Sequence, residues 1–244
     1  MKTLRMLAIL VLLPFGLSAQ ELTRLDGIQA SIEQALVESF PAQENKVAPI
    51  IEKLAKAHEE NPNPWNVYWQ GYGHYYEALY FMKTEQKEAG EKSLRAGIDL
   101  LEDQEKLSSE DHVMIGTLMG LLMGLSPGEI MTLSAKSGKH YQKAVKLGPE
   151  NMRAYLALGK SDFYTPEEYG GGKKVEEYLL KALSLKDTYL DDPNGPSWGR
   201  PEAYMHLVQF YQREDRIDEA KLYCKKGLAL FPDDYMLNQL DSQL

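Results

Sequence analysis

The sequence predicts an all-α chain, an α-α superhelix of about five stacked helical hairpins, and three observations predict it. Apolar residues recur at three- and four-residue spacing almost throughout, the period of one helix face, and no alternating strand pattern interrupts them. Breakers divide the chain at Pro41, Asn61 to Pro64, Ser126 to Gly128, Gly148 to Pro149, Thr165 to Gly172, Asp191 to Pro201 and Pro232 to Asp234. The segments between them end alike, around Ala57, Ala96, Ala144, Ala182 and Gly227, which stand 39, 48, 38 and 45 residues apart.

Ahead of the first hairpin, Lys2 and Arg5 precede an uncharged apolar run of 12 residues, Met6 to Leu17, that ends in Ser18-Ala19-Gln20. The run falls short of the roughly 20 residues a helix needs to cross a bilayer, so residues 1–19 read as a cleaved signal peptide. The expectation is therefore a periplasmic or secreted protein, not an integral membrane protein after cleavage, with residues 20–244 forming a single repeat domain. Cys224 is the only cysteine and lies far from the apolar run. No lipid anchor is expected, and no disulfide can form within the chain.

The hairpins follow in order, over residues 22–60, 64–102, 108–148, 150–187 and 199–232, with a closing helix from Tyr235 to Leu244. The second opens on Pro64 and carries Trp69, Tyr72, Gly73 and Tyr76 at helical spacing. The third contains Met114 to Leu125, apolar on all sides with glycine at 116, 120 and 124. Because Asp111 and His112 precede this run of 12 residues and Glu129 follows it, it reads as a helix buried at the centre of the stack. The fourth carries Tyr155, Leu158 and Gly159, then the turn from Thr165 to Gly172. In the fifth, Tyr204, Leu207, Val208 and Tyr211 share one face of a first helix, and Ala220, Cys224, Gly227 and Leu228 one face of a second. Small residues at such places let two antiparallel helices approach while aromatics fill the remaining space, which makes Cys224 a core residue. Asp233 or Asp234 can cap the closing helix, whose Tyr235, Leu237 and Leu240 cover the last hairpin.

The stretch from Pro201 to Asp234 is 34 residues long and resembles the tetratricopeptide repeat, which asks for an aromatic, Leu-Gly, Tyr, Ala, an aromatic, Ala and Pro at these offsets. Val208 stands where the repeat has Gly, and Cys224 where it has an aromatic. The best-matching units are residues 150–187 and 201–234. Thr165 to Gly171, Lys181-Ala182 and Pro196-Ser197-Trp198-Gly199 also resemble a pattern of exported bacterial repeat proteins, some of which are accessory subunits of solute-uptake systems. That likeness implies an exported context and no activity.

Chemistry-bearing motifs are sparse. The five histidines show no metal-ligand spacing, Gly170-Gly171-Gly172-Lys173-Lys174 lacks the phosphate-loop frame, and no Gly-x-Ser-x-Gly occurs. No cofactor, metal or catalytic residue is expected. Without residues 1–19 the chain has 25 basic against 36 acidic side chains, a formal charge of −11, and no Lys/Arg run longer than two, so nucleic acid is excluded as a partner class.

The function expected is a non-enzymatic scaffold that binds a partner protein or peptide on its concave surface. The alternatives are an accessory subunit of an envelope uptake or assembly system and a hydrolase whose site is assembled across repeats. The tetratricopeptide resemblance implies that the second, fifth, ninth and twelfth positions of each unit line the inner surface. The partner-binding candidates are Gln70, His74, Arg153, Leu156, Lys160, Phe163, Met205, Gln209 and Arg213. Three cations beside apolar anchors predict an acidic, apolar ligand. Gln70 and His74 stand where the family's carboxylate clamp has Lys and Asn, so capture of a chain terminus is not implied.

Overall fold

The computed structural model describes Leu25, residues 27–187 and residues 192–244; the expected signal peptide lies outside the described residues. Among these residues every regular element is helical, in the order α1 (Ile28–Ala42), α2 (Ala48–Glu60), α3 (Pro64–Lys83), α4 (Lys87–Glu102), α5 (Ser109–Leu125), α6 (Ile130–Leu147), α7 (Met152–Tyr164), α8 (Val175–Ser184), α9 (Arg200–Arg213), α10 (Ile217–Leu230) and α11 (Tyr235–Asp241). Four of the five expected hairpins and the closing helix are present; over residues 22–60 the helices α1 and α2 form, but each packs on α3 rather than on the other.

Local chemistry sets the helix starts. The Asn63 side chain accepts from the Trp65 N–H ahead of Pro64, Ser108 and Asp111 form a reciprocal capping box, and Asn151 and Asp234 cap α7 and α11. The turns inside hairpins two and five are the same turn used twice. Each places an acidic residue in the left-handed region, Glu85 at φ 61 and Asp215 at φ 59. Each closes with Gln86 N–H bonded to Phe81 O or Arg216 N–H to Tyr211 O, both at 2.8 Å. Pro41 ends nothing: it sits in the last turn of α1, and the chain turns at Gln43 instead.

Helices pair as α3–α4, α5–α6, α7–α8 and α9–α10, while α1 and α2 both lean on α3. The odd-numbered helices α3, α5, α7 and α9 form the inner layer, and α11 closes the stack over α9 and α10. Cys224 is buried there, with its thiol 3.5 Å from the Leu237 carbonyl. The buried side chains form three clusters, one under α1 to α6, one under α7 to α11 and a small one between α5, α6 and α7. Trp198 packs against all three.

Candidate binding groove

The seam glycines identify the inward face of each inner helix. A Cβ on Gly159 of α7 would stand 2.7 Å from Leu179 of α8, and one on Gly116 of α5 would run into the Tyr141 ring of α6. In both hairpins the glycine marks the seam with the helix's own partner. On α3 the residue in that place is Gly71, whose Cβ would stand 2.6 Å from Leu101 of α4; Gly73, expected in the role, faces Ile51 of α2. The register of α3 is therefore two residues earlier than expected, and its inward row is Trp65, Tyr68, Tyr72 and Tyr75. By the same count α5 turns Glu110, Val113, Thr117 and Gly120 inward, and α7 turns Arg153, Leu156 and Lys160.

Half of this inner surface is covered by the chain itself. Residues 192–199, ahead of α9, reach back over it as a strap. The Asn194 side-chain oxygen accepts from the Leu25 N–H at 3.1 Å, its carbonyl accepts from Trp69 Nε1 at 2.8 Å, and Ser197 N–H donates to Gln29 at 2.9 Å. Trp198 Nε1 donates to the Tyr68 hydroxyl at 2.8 Å, and its ring lies 6.2 Å from that of Tyr72. Gly199 then turns the chain into α9 at φ 106, a conformation that disfavours any side chain, with Leu156 and Arg153 against it.

Under the strap lies a buried ionic triad. Arg153 is 0 % exposed; its Nε donates to Glu110 at 3.0 Å, its Nη1 and Nη2 to Asp187 at 3.1 and 2.9 Å, and Nη1 also to the Trp198 carbonyl at 3.1 Å. Burial pushes the Glu110 carboxyl above the usual carboxylate range, although Arg153 pulls it the other way. Burial also works against the Arg153 charge, but Glu110, Asp187 and Tyr68 more than offset it and hold the guanidinium protonated.

The uncovered half is a groove of about 1040 Å³ between Tyr75 of α3, the second half of α5, the start of α6, α7, the turn after it and α9. Its α5 wall is almost bare. A Cβ on Gly120 would meet only the Tyr141 hydroxyl, at 3.8 Å, and one on Gly124 would meet nothing within 4 Å. Leu121, Met123 and Met205 add apolar surface, and Trp198 stands in the wall next to the strap. At the mouth Ile130, Met131, Tyr164 and Tyr169 remain 44, 73, 67 and 69 % exposed.

Polar groups in the groove are largely spent on one another. Lys160 is ion-paired with Glu202. Burial disfavours the ammonium, yet Glu202, with Tyr75 and Tyr141, raises its pKa above the ordinary lysine value. Burial likewise pushes Glu202 up, and Lys160 with His206 outweighs it and holds the carboxyl low. His206 Nδ1 lies 2.9 Å from the Glu202 carbonyl, which can only accept, so Nδ1 carries the proton and Nε2 receives the Tyr164 hydroxyl at 3.3 Å. Burial and the Lys160 charge lower the His206 pKa. Thr117 holds the Tyr141 phenol, which burial pushes up to about 12.

The nine expected contact residues divide accordingly. Lys160 and Met205 reach the groove. Leu156 and Arg153 lie beneath it, buried, so neither can meet a partner as an exposed side chain. Gln70 and His74 belong to the α3–α4 seam. Gln70 Nε2 donates to the Asn66 carbonyl at 3.1 Å, and His74 Nδ1 is 3.1 Å from Ser93 Oγ and 3.4 Å from Glu77. Gln209 is half-buried on α9, apart from the groove lining. Phe163 and Arg213 pack on each other, the guanidinium 4.5 Å from the ring centroid and donating to the Phe163 carbonyl at 2.9 Å. The cations that predicted an acidic ligand are thus engaged internally. Residues that sequence reasoning missed include Tyr75, Tyr141, Tyr164, Met131 and Trp198. Counting from Gly71 instead of Gly73 would have found Tyr75, and the Gly116-Gly120-Gly124 series pointed at the bare wall.

By fold this is a helical repeat protein of the tetratricopeptide kind. Its structure is similar to TTC0263, a tetratricopeptide protein of Thermus thermophilus, with a TM-score of 0.56 and 17 % identity over 88 % of this chain and 97 % of that one. It is also similar to HusA, a haemophore from Porphyromonas gingivalis, with a TM-score of 0.57 and 20 % identity over 82 % of this chain and 96 % of that one. No protein-family model and no curated protein matches the sequence. Stacked repeats of this kind present an extended concave surface. Among the described residues no helix is long and apolar enough to cross a membrane, and no group of three or more His, Cys, Asp or Glu could hold a metal ion.

Proposed function

We propose that this protein is an exported, non-catalytic scaffold, periplasmic or secreted, and that its groove between α5, α6, α7 and α9 seats a segment of a partner protein. The observation that carries the reading is the groove together with its mouth. Four large apolar side chains stay exposed around an apolar concavity, and contiguous surface of this kind marks interaction sites on folded proteins. The non-catalytic part is supported by the mutual pairing of Lys160 with Glu202 and of His206 with Tyr164, which leaves these groups without an open proton-transfer partner. Export is supported by the basic, then apolar, residues 1–19 and by a lone cysteine that is buried.

The test is site-specific photo-crosslinking in the producing cell, with the reactive group at Met131 in the mouth or at Leu222 on α10 as a control. A partner captured from Met131 and not from Leu222 is expected in the envelope or culture-fluid fraction. Equal capture from both positions, or retention of the protein in the cytoplasm, would overturn the reading. A second reading, an apolar solute carried for an uptake system, is favoured by the groove volume, which matches the roughly 300–1,000 Å³ of small-molecule sites. The shared fold of the Porphyromonas gingivalis haemophore points the same way. Mass spectrometry of organic extracts from protein purified out of its own envelope tests it, and an extract no different from that of a groove-filled variant would reject it.

A further inference from the structure

We propose that the segment this groove takes is an amphipathic helix whose apolar face fills the concavity and whose basic residues lie against Glu167 and Glu168. The inference rests on the groove being the partner site. An extended peptide brings one N–H and one C=O per residue into the site, and each must find a partner there or remain unsatisfied. Lys160, Glu202, His206 and Tyr141 are already bonded within the protein, so the wall offers little to such a backbone. A helix satisfies its own backbone and asks only for apolar volume. The bare α5 wall at Gly120 and Gly124 provides room for large side chains at helical spacing. The exposed mouth argues in the same direction. A small solute inside the groove leaves Met131 and Tyr169 in water, whereas a helix lying along it covers both.

The charge preference comes from the turn after α7. Pro166 and Tyr169 line the groove, and Glu167 and Glu168 between them are exposed, with no ion pair to either among the described residues. The whole chain carries a formal charge of −9, which steers a cationic segment toward it and an anionic one away. A basic partner replaces the acidic one that the sequence suggested, because Arg153 and Lys160 have their charges met inside the molecule and Arg213 is half-exposed against Phe163 and Glu214.

The probe is a fluorescent synthetic peptide of about 18 residues, five helical turns, with Leu and Met along one face and Lys at one end. Its twins carry Glu in place of Lys, or a central Pro. Anisotropy titration is expected to show saturable binding of the Lys peptide, with a loss of about tenfold or more for the Pro twin. The Glu twin is expected to bind several-fold more weakly, by a margin that shrinks as salt rises. The Glu167→Lys/Glu168→Lys variant should reverse the preference between the Lys and Glu peptides. Gly124→Leu should fill the groove and abolish binding with unchanged helicity, since its Cβ has open space and helix propensity improves. Equal binding of the Pro twin overturns the helix, and equal binding of the Lys and Glu twins at low salt overturns the basic partner. No binding of any peptide, or blockade by an apolar dye alone, overturns the inference while leaving the Met131 crosslinking result to decide the scaffold reading separately.

Discussion

The inner rows of α3 and α7 invite comparison, because the same repeat positions behave differently in the two helices. On α7 the expected row, Arg153, Leu156 and Lys160, does turn inward, running from beneath the strap to the open groove. On α3 the expected row, Val67, Gln70 and His74, turns sideways into the seam with α4. The cause is a second glycine. α7 has Gly159 alone, so its close-approach seam is unambiguous, whereas α3 has Gly71 and Gly73 and needs both, one against Leu101 and the other against Ile51. A helix with neighbours on two sides carries two close-approach signals, and spacing cannot say which belongs to its own hairpin. Position within a repeat predicts facing only where one seam exists.

The largest effect is expected from Arg153→Met, which strands Glu110 and Asp187 in the interior and should cost about 3–5 kcal/mol in thermal or urea unfolding. Arg213→Met, in a half-solvated pair, should cost under about 1 kcal/mol. A triple Ala variant of Arg153, Lys160 and Arg213 should therefore be unstable through Arg153 alone. Comparable small losses at Arg153 and Arg213 would show that the covered half is not dry.

Trp198→Ala is expected to cost about 2–3 kcal/mol, below the roughly 3–5 of a fully buried aromatic because the side chain is only half-buried. Hydrogen exchange should quicken in α1 and α3, which the strap ties to α9, more than in α10. Uniform loss of protection would mean that the strap is not a cross-brace.

His112 and His140, whose Nδ1 atoms are 2.9 Å apart, are expected to make the structure acid-sensitive. Burial, then the His140 charge and Lys143, lowers His112 to about 4; burial, then Lys143 and Lys136, also lowers His140. Both folded-state values lie below the unfolded 6.5, so the unfolded chain binds more protons. The pair's contribution is complete above pH 6.5 and lost as pH falls toward 4, by about 1–2 kcal/mol after discounting for partial solvation. His112→Gln should flatten this part of the stability profile, and an unchanged slope would assign the sensitivity elsewhere.

His74→Ala should cost about 1 kcal/mol, leaving Ser93 and Glu77 short of a partner, without altering capture from Met131. A lost crosslink with unchanged stability would return His74 to the inner surface. The smallest effect belongs to the twin turns. Glu85→Gly and Asp215→Gly relieve the left-handed strain and should change stability by only a few tenths of a kcal/mol, and alike, because glycine's added chain entropy offsets most of the relief.

Much was legible from local chemistry. Period-3.6 spacing, Pro64, the Ser108–Asp111 box, and Gly148-Pro149 all act within a turn or two of the chain, so the helices, four of the hairpins and the closing helix could be read without knowing what they pack on, whereas α1 and α2, read as a hairpin, each pack on α3 instead. The burial expected for Met114 to Leu125 was legible in its first half, because a helix apolar on every side has to be enclosed, but Gly120, Leu121, Met123 and Gly124 line the open groove instead and Gly124 is exposed. Pro41 was misread for the converse reason: a proline in a last turn removes a bond that the adjoining turn at Gln43 supplies differently.

Packing over long separations settled the rest. The strap joins Asn194 to Leu25 and Trp198 to Tyr68, contacts 169 and 130 residues apart, and no window of sequence contains both ends. That crossing divides the concave face into a dry half, where Arg153 becomes part of the core, and an open half, where Tyr75, Met131 and Met205 line a groove. Residue type and spacing specify helices because their hydrogen bonds are local. Which polar side chain is buried against which depends on desolvation and pairing between distant segments, and those energies exist only once the segments have met.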